Sequence, residues 1–538
     1  MRTAHGVCLL RARRGDWLRA AGFFLIAILA AASSGCTSWR EYVANGFKVG
    51  PNYCRPAAPV ADHWIDDKNP NVGSEPANDA AWWHTFNDPV LDTLIQTAYQ
   101  QNLTLRVAGL RILEARALRA VAVGEFFPQS QQATGSYTRA GASLNNVNTP
   151  PTRFTDDWNL GANLAWELDF WGRFRRSIEA ADAHLDASVE NYDSALVLLL
   201  SEVAQRYIDV RTAEQRLEYV RRNVEDQRVS LNLAQLKFRN GATTRLDVTQ
   251  GQSILGQTEA LIPLLEALRR QAANQLCILM GMPPQDLNEM LGGRRPIPSA
   301  SPRVAIGIPA DLMRRRPDVR SAERQVAEQS AMIGFATSDL YPHISISGNI
   351  FFDANNFKDL FNGRSVAGTA GPSFNWNVLN YGRLVNRIRI EDARFQQLVV
   401  QYQNTVLQAN VEAENSLVGF LKAQQAVKSL ADSATAAEQS LELVRSQYDA
   451  GKTDFNRVLN VEQSLNLQQD LLAVAQGSVA TNLALLYRAL GGGWQIRLGE
   501  QSSEPDGASV QPAEPVPAPA SDPDAASAPM PPSVAAAL

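Results

Sequence analysis

The chain has 538 residues, 45% of them hydrophobic and 20% charged, with 50 Lys and Arg against 55 Asp and Glu and a net charge of −5. That apolar share excludes wholesale disorder, and the lack of a basic surplus excludes a dedicated nucleic-acid binder. A mean hydropathy of −0.21 excludes a polytopic helical membrane protein, and four cysteines in this length exclude a disulfide scaffold.

Residues 1–35 read as an export signal peptide. Arg2, Arg11, Arg13, Arg14 and Arg19 form a positive start, and the apolar run Ala20–Ala32 that follows is too short to span a bilayer. Ser33-Ser34-Gly35-Cys36 resembles a bacterial lipoprotein cleavage site, in which Cys36 becomes the lipid-carrying mature N-terminus. Ser33 stands where such sites usually carry Leu, and an ordinary signal peptide with an incidental cysteine is the alternative. Cys277 lies in the apolar run Leu276–Met280 and reads as a small core residue. Residues 36–86 form an extended lead-in, rich in Pro, Asn and Asp through 45–78.

The chain then repeats itself. Phe238-Arg239-Asn240-Gly241-Ala242-Thr243 returns as Tyr448-Asp449-Ala450-Gly451-Lys452-Thr453, 210 residues on. Trp166 to Arg173 matches Trp376 to Arg383, and Met280-Gly281 matches Leu490-Gly491, at the same offset of 210. Phe127-Pro128 matches Tyr341-Pro342 at an offset of 214. A period this long marks a duplicated domain-sized unit, placed at 87–295 and 296–499.

Each unit has the same internal order. Asp88-Pro89 opens a helix with Leu91, Leu94, Ile95 and Ala98 at helical spacing, ending before Pro128. Its counterpart runs from about Pro317 to Leu340. A strand pair follows. Trp158, Leu160, Ala162, Leu164, Trp166 and Leu168 alternate with polar or small residues, and Gln129–Arg139 is the weaker partner. Ile344 to Phe352, and a strand around Phe374, Trp376 and Val378, are the second pair. Such strands suit a transmembrane barrel wall, with Glu167 and Asp169 toward its lumen; an antiparallel sheet on a soluble core is the alternative. Four strands cannot close a barrel, so a membrane wall needs several chains.

Arg173–Asn240 and Arg383–Ala450 are each 68 residues long without Pro, and only Gly419 interrupts them. As continuous helices they would reach about 100 Å. Leu200, Val203, Tyr207, Val210, Leu217, Val220 and Val224 make a coiled-coil stripe on the first. Gly241 and Gly451 mark turns into return helices over Leu246–Leu261 and Val458–Leu490. Residues 500–538, rich in Pro and Ala, cannot bury a core and read as a disordered tail. The five histidines show no ligand spacing, and no nucleophile elbow, P-loop or HExxH motif is present, so neither an enzyme nor a cofactor is expected.

Three stretches carry a resemblance: Val49-Gly50-Pro51-Asn52-Tyr53-Cys54-Arg55-Pro56, then Ala81-Trp82-Trp83 through Phe86-Asn87-Asp88-Pro89, then Arg315-Arg316-Pro317-Asp318-Val319-Arg320-Ser321-Ala322-Glu323-Arg324. With Ile333-Gly334-Phe335-Ala336 and Tyr341-Pro342, they resemble outer-membrane efflux proteins of the TolC type, in the lipoprotein or NodT branch. The resemblance implies a fold that is mainly α with transmembrane β. Three chains would share a twelve-stranded barrel in outer-membrane lipid above a periplasmic α-barrel. It implies a homotrimeric exit duct for small molecules such as drugs or toxic compounds. The duct would dock to a periplasmic adaptor and an inner-membrane transporter, expected to be proton-driven.

The resemblance also places the periplasmic aperture at the helix tips: Phe238, Gly241, Arg245 and Asp247 in unit one, and Tyr448, Gly451, Arg457 and Asn460 in unit two. Arg457 and Asn460 stand where some relatives carry gating aspartates, and Thr453 where some carry a linking arginine. A closed tip held by Asp247 with Arg457 or Arg245 is therefore expected, solvated tip residues being the alternative. Arg314-Arg315-Arg316 reads as a structural connector, and Trp171 and Tyr381 as matched junction anchors. A lipid-anchored periplasmic coiled-coil scaffold without a pore is the competing function.

Overall fold

The computed structural model describes residues 39–73, 80–143, 145, 152–299, 301–307 and 309–499. The expected signal peptide, Cys36 and the tail 500–538 lie outside the described residues. Unit one runs α1 (Pro89–Gln101), α2 (Leu103–Gly124), β1 (Ser130–Gly141), β2 (Phe154–Leu168), α3 (Arg173–Arg239) and α4 (Arg245–Leu279). Unit two runs α5 (Pro317–Ser338), β3 (His343–Ala354), β4 (Val366–Asn375), α6 (Arg383–Asp449) and α7 (Phe455–Ala489). Helices α3 and α6 are each 67 residues long, so the Gly- and Pro-poor runs do form unbroken rods. Their hairpin turns sit on Gly241 and Gly451, both left-handed at φ 72° and 70°, a region that favours glycine.

The first helix differs from the sequence expectation. It breaks at Asn102, whose backbone is extended at φ −63° and ψ 124°. The Asn102 side chain accepts from the Leu105 N–H at 2.8 Å and donates to the Leu279 carbonyl at 2.8 Å. The break is thus a cap joined to the end of α4. The equivalent link in unit two is Arg316 Nη1 donating to the Ala489 carbonyl at 3.0 Å. Arg316 is buried and also paired with Asp318 at 2.6 Å and Glu412 at 2.9 Å, so the last residue of the basic triplet ties helices together.

Two further boundaries move. Trp376 and Val378 lie beyond the end of β4 at Asn375. The Trp376 indole donates to the Leu340 carbonyl at 2.9 Å, as Trp166 does to Phe126 at 3.2 Å, so the tryptophan pairs with the helix end rather than the sheet. The return helix α4 continues past its expected end at Leu261, through Pro263, to Leu279. Packing of Leu255, Ile262 and Leu265 on Leu217, Val220 and Val224 of α3 carries it over the proline.

The four long strands form one antiparallel sheet in the order β1–β2–β3–β4. Register places Trp158, Leu160, Ala162, Leu164, Trp166 and Leu168 beside Ala354, Phe352, Ile350, Gly348, Ile346 and Ile344 on one face. The other face carries Asn159, Asn163, Glu167, Ser345, Ser347 and Asn349. Gly161 pairs with Phe351, the large apolar side chain on that polar face; a Cβ at Gly161 would lie 2.5 Å from the Phe351 Cβ. The apolar face is bare within the chain, with Leu160 40%, Leu164 41% and Ile350 60% exposed.

The lead-in is fastened to the rods. Val49 N–H donates to the Trp171 carbonyl at 3.0 Å, and buried Arg176 donates to the carbonyls of Val49 and Gly50 at 3.1 and 3.0 Å. Trp64 donates to Gly307 at 2.9 Å, and Val72–Gly73 pairs in parallel with Val304–Ala305.

Each hairpin is apolar inside, but the seam between α3 and α7 is polar. Asn223 donates to Gln469 at 2.8 Å, and Ser230 to Glu462 at 2.6 Å, all four buried. Arg445 of α6 reaches Glu462 at 3.0 Å and Asp226 at 3.3 Å. Beside them, both amide atoms of Gln227, Glu462 Oε2, Asn466 Oδ1 and Arg445 Nε are enclosed without partners. Each such orphan costs about 1–3 kcal/mol relative to a hydrated one.

Burial raises the pKa of Glu462 above the usual carboxylate range, with Ser230 and Arg445 opposing and Asp226 adding to the rise. A raised folded pKa means stability is fullest below the unfolded value of about 4.3 and falls as pH climbs through the folded one. Melting temperatures of the detergent-solubilised parent and Glu462→Gln, compared from pH 4 upward, should shift in the variant's favour as pH rises above the unfolded value and level off once the folded carboxyl has ionised. A difference that stays flat across that range rejects this account of the seam.

Candidate functional site

The hairpin tips bring the unit-one and unit-two turns side by side. Ala234, Leu441, Val444, Tyr448, Phe455, Val458, Leu459 and Leu465 form one buried cluster there, drawn from α3, α6 and α7. Tyr448 is 5% exposed and packs on Phe455 with ring centroids 5.1 Å apart. Its hydroxyl is enclosed without a hydrogen bond of ordinary geometry. Burial raises the Tyr448 pKa, Thr243 opposes the rise and the Asp247 charge adds to it. Phe238 is half-exposed beside the turn, Arg245 and Arg457 are exposed on the first turns of α4 and α7, and Asn460 is exposed on the second turn of α7.

The expected ion pair of Asp247 with Arg457 or Arg245 does not form within the chain. Asp247 is the third residue of α4, and its carboxylate turns back onto the helix start. It accepts from the Thr243 hydroxyl and from the Thr244 N–H at 3.1 Å and hydroxyl at 3.0 Å, while Thr244 caps the Asp247 N–H. This is a capping box at the positive end of the helix dipole. Burial works against the charge, but the threonine hydrogen bonds outweigh it and hold the Asp247 pKa below the ordinary value. At the matching start of α7 the roles are exchanged: Asp454 is the cap and accepts from the Arg457 N–H at 2.9 Å.

One tip contact escaped the sequence reading. Lys237 Nζ, from α3, donates to the Tyr448 carbonyl and to the Asp449 carbonyl at 3.3 Å, and sits 4.1 Å from the Tyr448 ring centroid. Its only sequence signal is a cation in the last turn of a helix. Nothing local says that it serves a different helix.

At the other end, the strand wall corrects the lumen assignment. Asp169 lies just past β2, and its side chain is 4% exposed. It accepts from Phe174 N–H at 2.9 Å and Arg175 Nε at 2.7 Å, and so caps α3 rather than lining a lumen. The alternation of the strand stops at Leu168, so extending it by one residue assigns the wrong environment. Glu167 does lie on the polar face, but it is bound by His343 Nδ1 at 2.7 Å and Arg173 Nη1 at 3.3 Å. The junction anchors are unequal. Trp171 stacks on Tyr341 at 4.6 Å and donates to Pro342 at 2.9 Å, whereas Tyr381 is 97% exposed.

Comparison with known proteins agrees with this architecture. The family model described as outer membrane efflux protein matches residues 94–282 and again 308–492, one match in each half of the chain. Nodulation protein T of Rhizobium leguminosarum bv. trifolii is 30% identical, covering 85% of this chain and 97% of its own. Outer membrane protein OprJ of Pseudomonas aeruginosa is 29% identical, covering 89% of this chain and 97% of its own. Among solved structures, the outer-membrane channel OprN superposes with a TM-score of 0.78 at 31% identity, over 83% of this chain and 99% of that one. With both halves matched and relatives covered almost end to end, the chain belongs to the outer membrane efflux protein family.

Proposed function

We propose that the protein is the exit duct of a tripartite efflux pump, passing small molecules such as drugs or toxic compounds passively from periplasm to exterior. It is an efflux channel of the outer membrane; the number of copies, the gate and the partners are the proposal. Three copies would assemble one twelve-stranded barrel over a periplasmic α-barrel. The tips Phe238, Gly241, Arg245, Asp247, Tyr448, Gly451, Arg457 and Asn460 would face an adaptor protein, with a proton-driven inner-membrane transporter beyond it. The layout we propose is a signal peptide at 1–35, a lead-in at 36–86 anchored by lipid on Cys36, and repeats at 87–295 and 296–499.

One observation carries the reading. Each junction between the two units inside the chain has an equivalent that stands open. Strand β2 pairs with β3, so β4 should pair with β1 of the next copy. Helix α3 packs on α5, so α6 should pack on α2 of the next copy. Helix α2 offers the exposed stripe Leu103, Val107, Leu110, Leu113, Leu118 and Val121 for this contact. Trp171 stacks on Tyr341, so exposed Tyr381 should stack on Phe127 of the next copy, itself 58% exposed. A pore-free scaffold has no use for bare apolar strands, and no helix of the described residues is long and apolar enough to cross a membrane in their place.

The native mass of protein extracted by detergent from outer-membrane fractions should be that of a trimer. A monomer, or release without detergent, would defeat the duct reading and favour the scaffold. The copy-to-copy register has its own test. Cys54 is an exposed free thiol, so the background is Cys54→Ser. Tyr381→Cys with Phe127→Cys should give covalent oligomers with a short thiol crosslinker, and either single variant should give none. Removing the aromatic pair with Tyr381→Ala should weaken each contact by about 0.5–1.5 kcal/mol beyond the lost area, seen as a lower dissociation temperature of the trimer.

A further inference from the structure

The apolar face of the sheet does not stay apolar to its far end. The stretch Trp158–Leu168 has the length, about 9–11 residues, with which a tilted strand crosses hydrocarbon. Strand β2 starts earlier, at Phe154, and β1 runs on to Gly141, so the sheet continues past that stretch on the side away from the helices. Aromatic rings mark the boundary. Trp158 packs on Tyr137 at 4.3 Å and on Phe357 at 5.0 Å, and Phe361 lies 5.8 Å from Phe352. Tyr137 is paired with Trp158, and Phe352 with Leu160, so these rings belong to the apolar face. Such a girdle is where a barrel wall meets lipid headgroups.

Beyond the girdle the same face turns basic. The Arg139 guanidinium lies 5.4 Å from the centroid of the Phe154 ring, and the Arg153 guanidinium 5.1 Å from it. One ring, 52% exposed, thus gathers two like charges that repel each other and favour an anion between them. One carboxylate answers them on this face. Asp156 lies 3.4 Å from Arg139 and also accepts from the Tyr137 hydroxyl at 3.0 Å. Residues 140–155 include no Asp or Glu, so the link between the two strands brings no second carboxylate. Asp157 and Asp353 belong to the opposite, polar face, and Lys358 and Asp359 on the β3–β4 link cancel in charge. With β4 paired to β1 of the next copy, Arg364, just before β4, would add a further cation beside the end of β1 that carries Arg139.

We propose that Arg139 and Arg153, gathered on Phe154 at the outer rim of the wall, bind the phosphate of a phosphorylated glycolipid in the outer leaflet. The inference rests on the duct reading, because only a barrel wall in the outer membrane sets this rim among lipid headgroups. Guanidinium forks match phosphate oxygens in pairs. A phosphate monoester carries about −1.5 to −2 charges at neutral pH, against a single charge on a phosphodiester headgroup, and so answers two guanidiniums more evenly. The bare apolar face below the girdle takes the acyl chains of the same lipid.

Native mass spectrometry of the full-length protein in mild detergent, titrated with bis-phosphorylated lipid A, tests this. The parent should bind it about tenfold or more tightly than either lipid A stripped of its phosphates or phosphatidylglycerol, the scale of one charge-assisted contact. Arg139→Gln with Arg153→Gln should abolish that preference, and Lys at both positions should keep part of it. Asp156→Asn keeps the shape and the acceptor for Tyr137 but removes the competing charge, so it should bind a few-fold more tightly than the parent. The same spectra report the assembly state, and Asp156→Asn carries the test if the double variant fails to assemble. Equal binding of the phosphate-free lipid, undiminished preference in the double Gln variant, or weaker binding in Asp156→Asn overturns the site. Displacement by an equal concentration of inorganic phosphate means an adventitious anion site only and overturns the lipid assignment. Protein released from membranes without detergent defeats the duct reading and the site with it. Assembled, detergent-extracted protein that is indifferent to phosphorylation leaves the duct standing and removes the site alone.

Discussion

A strand edge cannot be left open in hydrocarbon. Each backbone N–H or C=O without a partner costs several kcal/mol there, because no water can replace the missing strand. The sheet of this chain has two such edges, β1 and β4, and four strands are too few to close on themselves. The duplicated architecture answers that constraint. Since β2 and β3 join the two units within the chain, the same geometry would join β4 to β1 of another copy in the proposed assembly. The bare side chains follow the same logic. The apolar stripe of α2 and the fully exposed Tyr381 are uncovered in one chain, and in the proposed assembly the next copy would cover them.

Local patterns in the sequence carry most of the fold of one chain. A strand with one wet and one greasy face carries its period of two in the residues themselves, and Trp158 to Leu168 shows it without ambiguity. Runs of 68 residues free of Pro cannot be divided into ordinary helices, and the glycines at 241 and 451 stand where the chain reverses. What was not legible depends on who the neighbour is. Asn102 breaks a helix because its amide finds the end of α4, 177 residues away. Asp169 looks like the next polar residue of a strand but answers to the N–H groups of α3. Asp247 looks like half of an ion pair, yet its position three residues into a helix offers nearer donors than any arginine. Lys237 gives no local sign that it serves the end of α6.

The two units agree along the shaft and differ at its ends. The links from Asn102 to Leu279 and from Arg316 to Ala489 occupy the same place with different chemistry, and both fasten a short helix to a returning rod. At the tips the exchange changes more than chemistry. Asp247 and Arg457 are equivalent, as are Lys237 and Gln447, so charge at the tips is distributed unequally between the two hairpins of one chain. Duplication supplies a wall of matched parts, and divergence at the tips supplies places where one hairpin can respond differently from its neighbour.

Length then decides how little needs to change for the tip to move. A rod of 67 residues spans about 100 Å, so a tilt of about 3° near the sheet displaces the far end by about 5 Å. A tilt of that size disturbs close packing near its origin very little, because displacement grows with distance along the rod. The cost of movement is therefore concentrated where displacement is greatest, at the tip cluster around Tyr448 and Phe455 and in the seam just behind it. That is also where the packing between hairpins changes from apolar to polar, at Asn223, Gln227, Ser230, Glu462 and Gln469. An apolar seam would penalise separation by the area exposed, whereas a polar seam exchanges protein contacts for water at much smaller net change. Per unit area the polar seam therefore opposes separation of the two hairpins less than the apolar packing inside each hairpin does.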